Sequence, residues 1–252
     1  MIERARPLLG TLVAIRIDEC GAAHRAAHAA NRAIDAAFES VALIDRLMSY
    51  QQPDSELSRL NQEAARTAIE VSRHTFRVLR WSLRLSRATG GRFNAVIPHQ
   101  RDRATDLLLL PGGRVRYRHP MRLDLSGLAK GYAVDLATHV LRKHGVRRAV
   151  INAGGDLRTI GRAALRVGLR VTGPSTHTAV IELANGALAS SAGLAGRTVS
   201  VVARRCLLAD ALTKVLLAEG VTAAAARILA RFGARGWCHE PACGWQALPG
   251  AS

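Results

Sequence analysis

Lys130 stands in the run DLSGLAKGYAVD, residues 124–135, in the opening turn of a helical pattern. The helix macrodipole disfavours a cation at that end and favours an anion. A lysine there makes sense if it and the free backbone N–H groups jointly hold a phosphate or a similar anion. The lysine census sharpens the point. Of 36 Lys and Arg residues, only Lys130, Lys143 and Lys214 are lysine. An ammonium is a compact point charge that reaches phosphate without the fixed fork of arginine. Asp210, Thr213 and Lys214 form a second constellation, with Asp210 and Lys214 on one helical face. An ordinary surface pair at that spacing is the plain alternative, worth only about 0.3–0.5 kcal/mol.

These residues need elements to position them. Met121 to Leu125 alternates like a short strand, and Ser126-Gly127 opens a helix whose apolar residues recur at three- and four-residue spacing. Gly145 stops it. Ala149-Val150-Ile151 starts a strand that ends at the tight turn Ala153-Gly154-Gly155-Asp156. Elsewhere the spacing predicts helices over 22–47, 72–89, 209–219 and 222–232. Strands are expected near 165–171, 178–183 and 198–202, before a terminal hairpin. Ser55, Ser58 and Asn61 suggest local capping around Pro53-Asp54. Residues 98–120, rich in Arg, Pro and Gly, read as the least regular connector. Runs of strands broken by long helices indicate an α+β fold.

Composition bounds the partners. A chain of 252 residues with 48% hydrophobic content can bury a substantial core as one large domain or two joined halves. No apolar run reaches the roughly 18 residues of a membrane helix. The start, MIERARPLLGTLVAIRID, has neither an apolar leader core nor a cleavage site, so a cytoplasmic protein is expected. A net charge of +17 invites a polyanion, but the arginines are scattered and aromatic residues are only 4%. Nucleic acid is therefore not the expected partner. Cys238-His239 and Cys243 are half a zinc site without a second pair, and the four cysteines are too spread for a disulfide scaffold.

Taken in order, Gly10-Thr11, RLMSYQQPDSELSRLN at 46–61, GGRFNAV at 90–96, DLSGLAKGYAVD at 124–135, NAGGD at 152–156 and ADALTK at 209–214 resemble the ApbE family. These are flavin transferases that take FMN from FAD and attach it to a Ser or Thr of another protein. The resemblance implies one flavin transferase domain over 1–252, an α+β fold with mixed and antiparallel sheets, long amphipathic helices and T-fold-like halves. It implies that Tyr50 stacks on the flavin nucleotide, and that Arg92, Phe93 and Asn94 line the FAD site. Asn94 stands where the family usually has Asp. Asp124 and Lys130 match FAD-contacting positions, and Gly127 matches a backbone metal ligand. Asp135 and Asp156 brace these loops, with local helix or turn hydrogen bonds as their ordinary role.

Asp210 matches the family's main metal-binding carboxylate, at the start of a helix. The usual Thr one turn later is Lys214 here, with Thr213 one position earlier. Either Thr213 supplies the hydroxyl and Mg²⁺ is kept, or the Lys214 ammonium stands in place of the metal. Between Ala187 and Val202 the family carries a His-x-Ile-Asp-Pro-x-Thr-Gly loop whose His activates the acceptor hydroxyl. ALASSAGLAGRTVSVV contains neither His nor Asp-Pro, which leaves His99, His119 and His177 as candidate replacements. The expected reaction is attack of an acceptor flavoprotein's Ser or Thr hydroxyl on the FMN phosphorus of FAD, with AMP leaving. A member that binds FAD without transferring anything is the alternative, and a basic nucleic-acid-associated protein the weaker one.

Overall fold

Alternation of apolar and polar residues from the first strand onward builds a long antiparallel sheet. The structure, a computed structural model, describes residues 1–20, 26–97, 103–169, 171 and 179–249. The described chain divides into two compact units, one of residues 1–41 and 130–252, the other of residues 42–129.

The larger unit contains β1 (Ile2–Leu8), β2 (Thr11–Cys20), β6 (Val146–Ala153), β7 (Asp156–Ile160), β10 (Ala187–Ala192), β11 (Thr198–Ala203), β12 (Arg235–Glu240) and β13 (Gly244–Ala247). They form one eight-stranded sheet in that order, with every neighbouring pair antiparallel. One face is apolar at alternate positions: Val13, Ile15, Ile151, Ala189, Val199 and Val201 are all fully buried. Helix α5 (Cys206–Glu219) lies against β10 and β11, and α6 (Ala223–Arg231) against β12. On the other face a separate hairpin, β8 (Leu165–Leu169) with β9 (Ala179–Leu183), packs Leu169 and Leu183 on Leu188 and Val202. The turn expected at Gly173-Pro174 lies outside the described residues.

Two glycine turns set the register of this sheet. Leu9 and Gly10 (φ 57° and 69°) join β1 to β2 in a two-residue hairpin. Gly154 and Gly155 (φ 60° and 102°) join β6 to β7, and the Gly155 N–H donates to Asn152 Oδ1 at 3.0 Å. A Cβ on Gly154 would lie 2.5 Å from Thr11 Oγ1. The GT and NAGGD motifs are thus in close contact.

The smaller unit holds the end of α1 (Ala26–Met48), α2 (Glu56–Glu63), α3 (Arg73–Ala88) and a three-stranded sheet. Its strands are β3 (Ile69–Glu70), β4 (Leu107–Leu110) and β5 (Arg114–Tyr117), in the order β3-β5-β4. The connector expected to be irregular therefore contains a hairpin. Alternating arginines at 114 and 116 face solvent while Val115 and Tyr117 are buried, a pattern the Arg-rich composition obscured. Met121 to Leu125 is not a strand. It makes a single bridge, Val96 to Leu123, because the Asn61 side chain takes both the Leu123 N–H (2.8 Å) and its carbonyl (3.0 Å). Helix α4 (Ser126–Lys143) runs as expected and ends at Gly145 (φ 76°). Among the described residues, no helix is long and apolar enough to cross a membrane.

Candidate functional site

The larger unit gathers four charges that lie far apart in sequence. Lys130, on α4, places Nζ 2.8 Å from Asp156 Oδ2, the first residue of β7. Lys214, on α5, places Nζ 3.5 Å from Asp210 Oδ1. Both carboxylates are 1% exposed, whereas the lysine side chains keep 27% and 40% of their surface. The Lys214 ammonium also donates to Ser191 Oγ (2.7 Å), which lies 2.8 Å from Thr213 Oγ1. Thr213 in turn donates to the Asp210 carbonyl at 2.6 Å. Two of the chain's three lysines therefore sit on buried aspartates.

The electrostatics follow from that burial. Burial pushes the Asp156 carboxyl up to about 7, helped by neighbouring Asp210 and opposed by Lys130. Asp210 is raised for the same first reason, with Lys214, Lys130 and the Gly131 N–H holding it back. Burial alone would lower the Lys130 ammonium, but Asp156 and Asp210 outweigh it and hold it above its ordinary range. The four groups are mutually dependent.

Close helix contact brings them together. A Cβ on Gly131 would meet the Cys206 carbonyl oxygen at 2.5 Å. Glycine there lets α4 approach α5 closely enough for its N–H to reach the Asp210 carboxylate. Asp135, one turn further along α4, fixes the same junction. Its carboxylate accepts from the Cys206 N–H (2.9 Å), the Leu207 N–H (3.2 Å) and the Arg158 guanidinium. It supplies the N-terminal cap that Arg205, at the helix's own cap position, does not provide. Of the two roles weighed for Asp135 and Asp156, bracing other segments and local hydrogen bonding, their partners on other elements match the first. Asp210 is not at a helix start, since α5 begins at Cys206 and carries it into the second turn.

Lys130 is the fifth residue of α4 rather than part of its first turn. The Ser126 N–H at the helix end is already taken by Asp124 Oδ1 at 2.8 Å. Ser191 and Asp156 carry more of this cluster than the sequence suggested. Ser191 had no flag beyond its place in ALASSA, and only the pairing of β10 beside β11 could have brought it to α5.

An open groove of about 1030 Å³ crosses the second sheet face. Thr11, Arg16, Asn152, Gly154, Arg166 and Ser191 are among its lining residues. Ser191 thus borders both the groove and the Lys214 ammonium. The connection from β10 to β11 is short, pairing Ala192 with Thr198. Of the replacement histidines, His119 pairs with Asp106 in the smaller unit at 3.2 Å, and His99 and His177 lie outside the described residues. The β11–β12 register sets His239 opposite Thr198. It is 4% exposed, with Nδ1 buried and unpartnered.

The remaining expected residues lie in the smaller unit. Tyr50 is 44% exposed, on a loop tied by Ser49 Oγ to the Gln51 and Gln52 N–H groups and by Ser55 Oγ to the Ser49 carbonyl. Helix α3 ends in a Schellman motif, with the Gly91 N–H on the Ser86 carbonyl (2.7 Å) and the Gly90 N–H on that of Arg87 (3.3 Å). The chain then drops Phe93 into the core, its N–H donating to Thr89 Oγ1 at 3.0 Å, and leaves Arg92 and Asn94 exposed. Asn94 Oδ1 accepts from the Val96 N–H at 3.0 Å. Gly127 occupies the first turn of α4.

The residues around Asp210 do not fit a divalent cation. Mg²⁺ needs near-octahedral oxygen coordination. Asp210 Oδ1 faces an ammonium, the Thr213 hydroxyl is engaged with Asp210 and Ser191, and Asp156 is paired with Lys130. Asp156 Oδ2 has the Lys130 ammonium at 2.8 Å, and Asp210 Oδ2 is a buried acceptor without a hydrogen bond. Among the described residues no group of three or more His, Cys, Asp or Glu could hold a metal.

Known proteins agree with this architecture. The sequence profile of the ApbE family matches residues 9–102 and 99–196. The FAD:protein FMN transferase of Vibrio cholerae is 27% identical over 151 residues, 47% of this chain and 45% of that protein. That of Treponema pallidum is 25% identical over 190 residues, 63% of this chain and 51% of that protein. The chain spans about half the length of the curated relatives it matches. A point mutant of flavin transferase ApbE from Vibrio cholerae shares the fold with a TM-score of 0.83 at 19% identity, over 99% of this chain and 98% of that one. With its GT, AKG, NAGGD and ADALTK segments folded into one sheet-and-helix unit and the profile match covering most of its length, the chain belongs to the ApbE family.

Proposed function

We propose that the protein is an FAD:protein FMN transferase acting as one domain over its whole length. The observation that carries the reading is the convergence of Lys130 and Lys214 on Asp156 and Asp210, in a chain whose family profile is that of ApbE. Two partly exposed ammonium groups, held by buried carboxylates, suit a diphosphate. Tyr50, Arg92, Phe93, Asn94 and Asp124 are the further nucleotide contacts implied by the family resemblance. Mg²⁺ has no part in the reading, because the donor set is unsuited to it.

In the proposed reaction the Ser or Thr hydroxyl oxygen of an acceptor flavoprotein attacks the FMN phosphorus of FAD. The bond between that phosphorus and the bridging oxygen breaks, AMP leaves with the electron pair, and the hydroxyl proton passes to a base or to solvent. The ammonium groups offset the charge that grows on the leaving phosphate. Purified protein incubated with FAD and a candidate acceptor tests this, by the acceptor's mass and by AMP in the supernatant. An FMN-sized mass gain with matching AMP is expected. FAD binding without either product favours the second reading, binding without transfer, to which the His-free connection between β10 and β11 points.

A further inference from the structure

We propose that Lys214 is the built-in counter-ion of the diphosphate site, so that flavin dinucleotide binds without a divalent cation. The inference rests on the flavin reading above and concerns how that site balances charge. Lys214, partly exposed on α5, extends toward Asp210, four residues earlier, and is held on its other side by Ser191. Ser191 borders the groove, so the ammonium is presented at the edge of open space rather than sealed in. Thr213, the residue before it on α5, turns its hydroxyl to the Asp210 carbonyl and to Ser191.

Charge arithmetic runs the same way. Two ammonium groups facing two buried carboxyl groups leave no excess negative charge for a divalent ion to offset before any ligand arrives. A divalent ion would find one unpartnered oxygen on Asp210, Oδ2, with the Lys214 ammonium already at Oδ1 of the same carboxylate. An ammonium donates directly to phosphate oxygens and needs no six-oxygen shell. Of the three N–H groups of Lys214, one reaches Ser191 and one faces Asp210, which leaves a donor for the ligand.

The test is FAD titration, followed by flavin fluorescence, of wild type and Lys214→Thr, each in EDTA and in Mg²⁺. Wild-type affinity should change by less than about threefold between the two conditions. Lys214→Thr should bind about tenfold more weakly in EDTA, the loss of one charged hydrogen bond, and should recover much of that in Mg²⁺. A second readout needs no nucleotide: Mn²⁺ uptake, from the free ion's paramagnetic resonance signal. Wild type should take up none and Lys214→Thr one ion. Wild-type FAD binding that collapses in EDTA, or one Mn²⁺ bound per wild-type chain, overturns the proposal while leaving the flavin reading intact. Failure of wild type to bind FAD in either condition overturns the flavin reading itself, and this inference with it.

Discussion

In the larger unit Lys130 and Lys214 rest on carboxylates that are 1% exposed, and Asp135 bridges α4, β7 and α5. In the smaller unit Tyr50, Arg92 and Asn94 lie on loops shaped by backbone and small hydroxyl groups, with their own side chains exposed. The two regions carry binding residues by different means. Where charges are buried, each site residue is also a structural member, so a substitution disturbs folding and binding together. Where the loop backbone does the positioning, a side chain can be exchanged with little effect on stability. This contrast makes predictions that differ in size.

The largest effect is expected at Asp135, which touches no proposed ligand. Asp135→Ala leaves Arg158 without its carboxylate and two N–H groups of α5 uncapped, and should cost about 3–5 kcal/mol, the range for breaking a buried pair. Urea denaturation measures it. A loss below about 1 kcal/mol would show that water or another side chain takes over the cap. Next is Gly131→Ala, whose Cβ meets the backbone of Cys206 rather than a flexible side chain. Overpacking of that kind costs about 1–3 kcal/mol, again read by denaturation, and prising α4 from α5 should weaken FAD binding too.

Lys130→Ala should weaken FAD binding by about 1.5–3 kcal/mol, the range for a hydrogen bond to a charged group. It also strips a buried carboxylate of its partner. The double substitution Lys130→Ala with Asp156→Asn separates the roles, since it should restore stability but not affinity. Recovery of both in the double variant would make the lysine purely structural. In the smaller unit Tyr50→Ala should change stability by no more than about 0.5 kcal/mol and still reduce the quenching of bound flavin.

Much of this architecture was legible in the sequence because its signals are local. The 3.6-residue spacing of α4, the glycines at 145, 154 and 155, and Ser55 as a helix cap act within a few residues of themselves. The β4–β5 hairpin was not legible, because arginines on its solvent face mimic a polar linker. Nor was the long-range role of Asp135, since an acidic residue inside a helix gives no sign of which distant N–H groups it will cap. The motifs named Lys130, Asp210, Thr213 and Lys214, and the four-residue spacing gave the Asp210–Lys214 pair, but not the partners that come from other elements. That Lys130 meets Asp156, and Lys214 meets Ser191 as well as Asp210, depends on strand order and on the close approach of α4 to α5.

The ammonium cluster has its proposed role only if this protein recognises flavin through phosphate. Titration of wild type with FAD, FMN and riboflavin tests this: FMN and riboflavin differ by one phosphate alone, and FAD adds the second phosphate together with adenosine. The ammonium cluster predicts that FAD binds most tightly and that FMN binds about tenfold more tightly than riboflavin, one charge-assisted contact apart. Equal affinity for all three would contradict it.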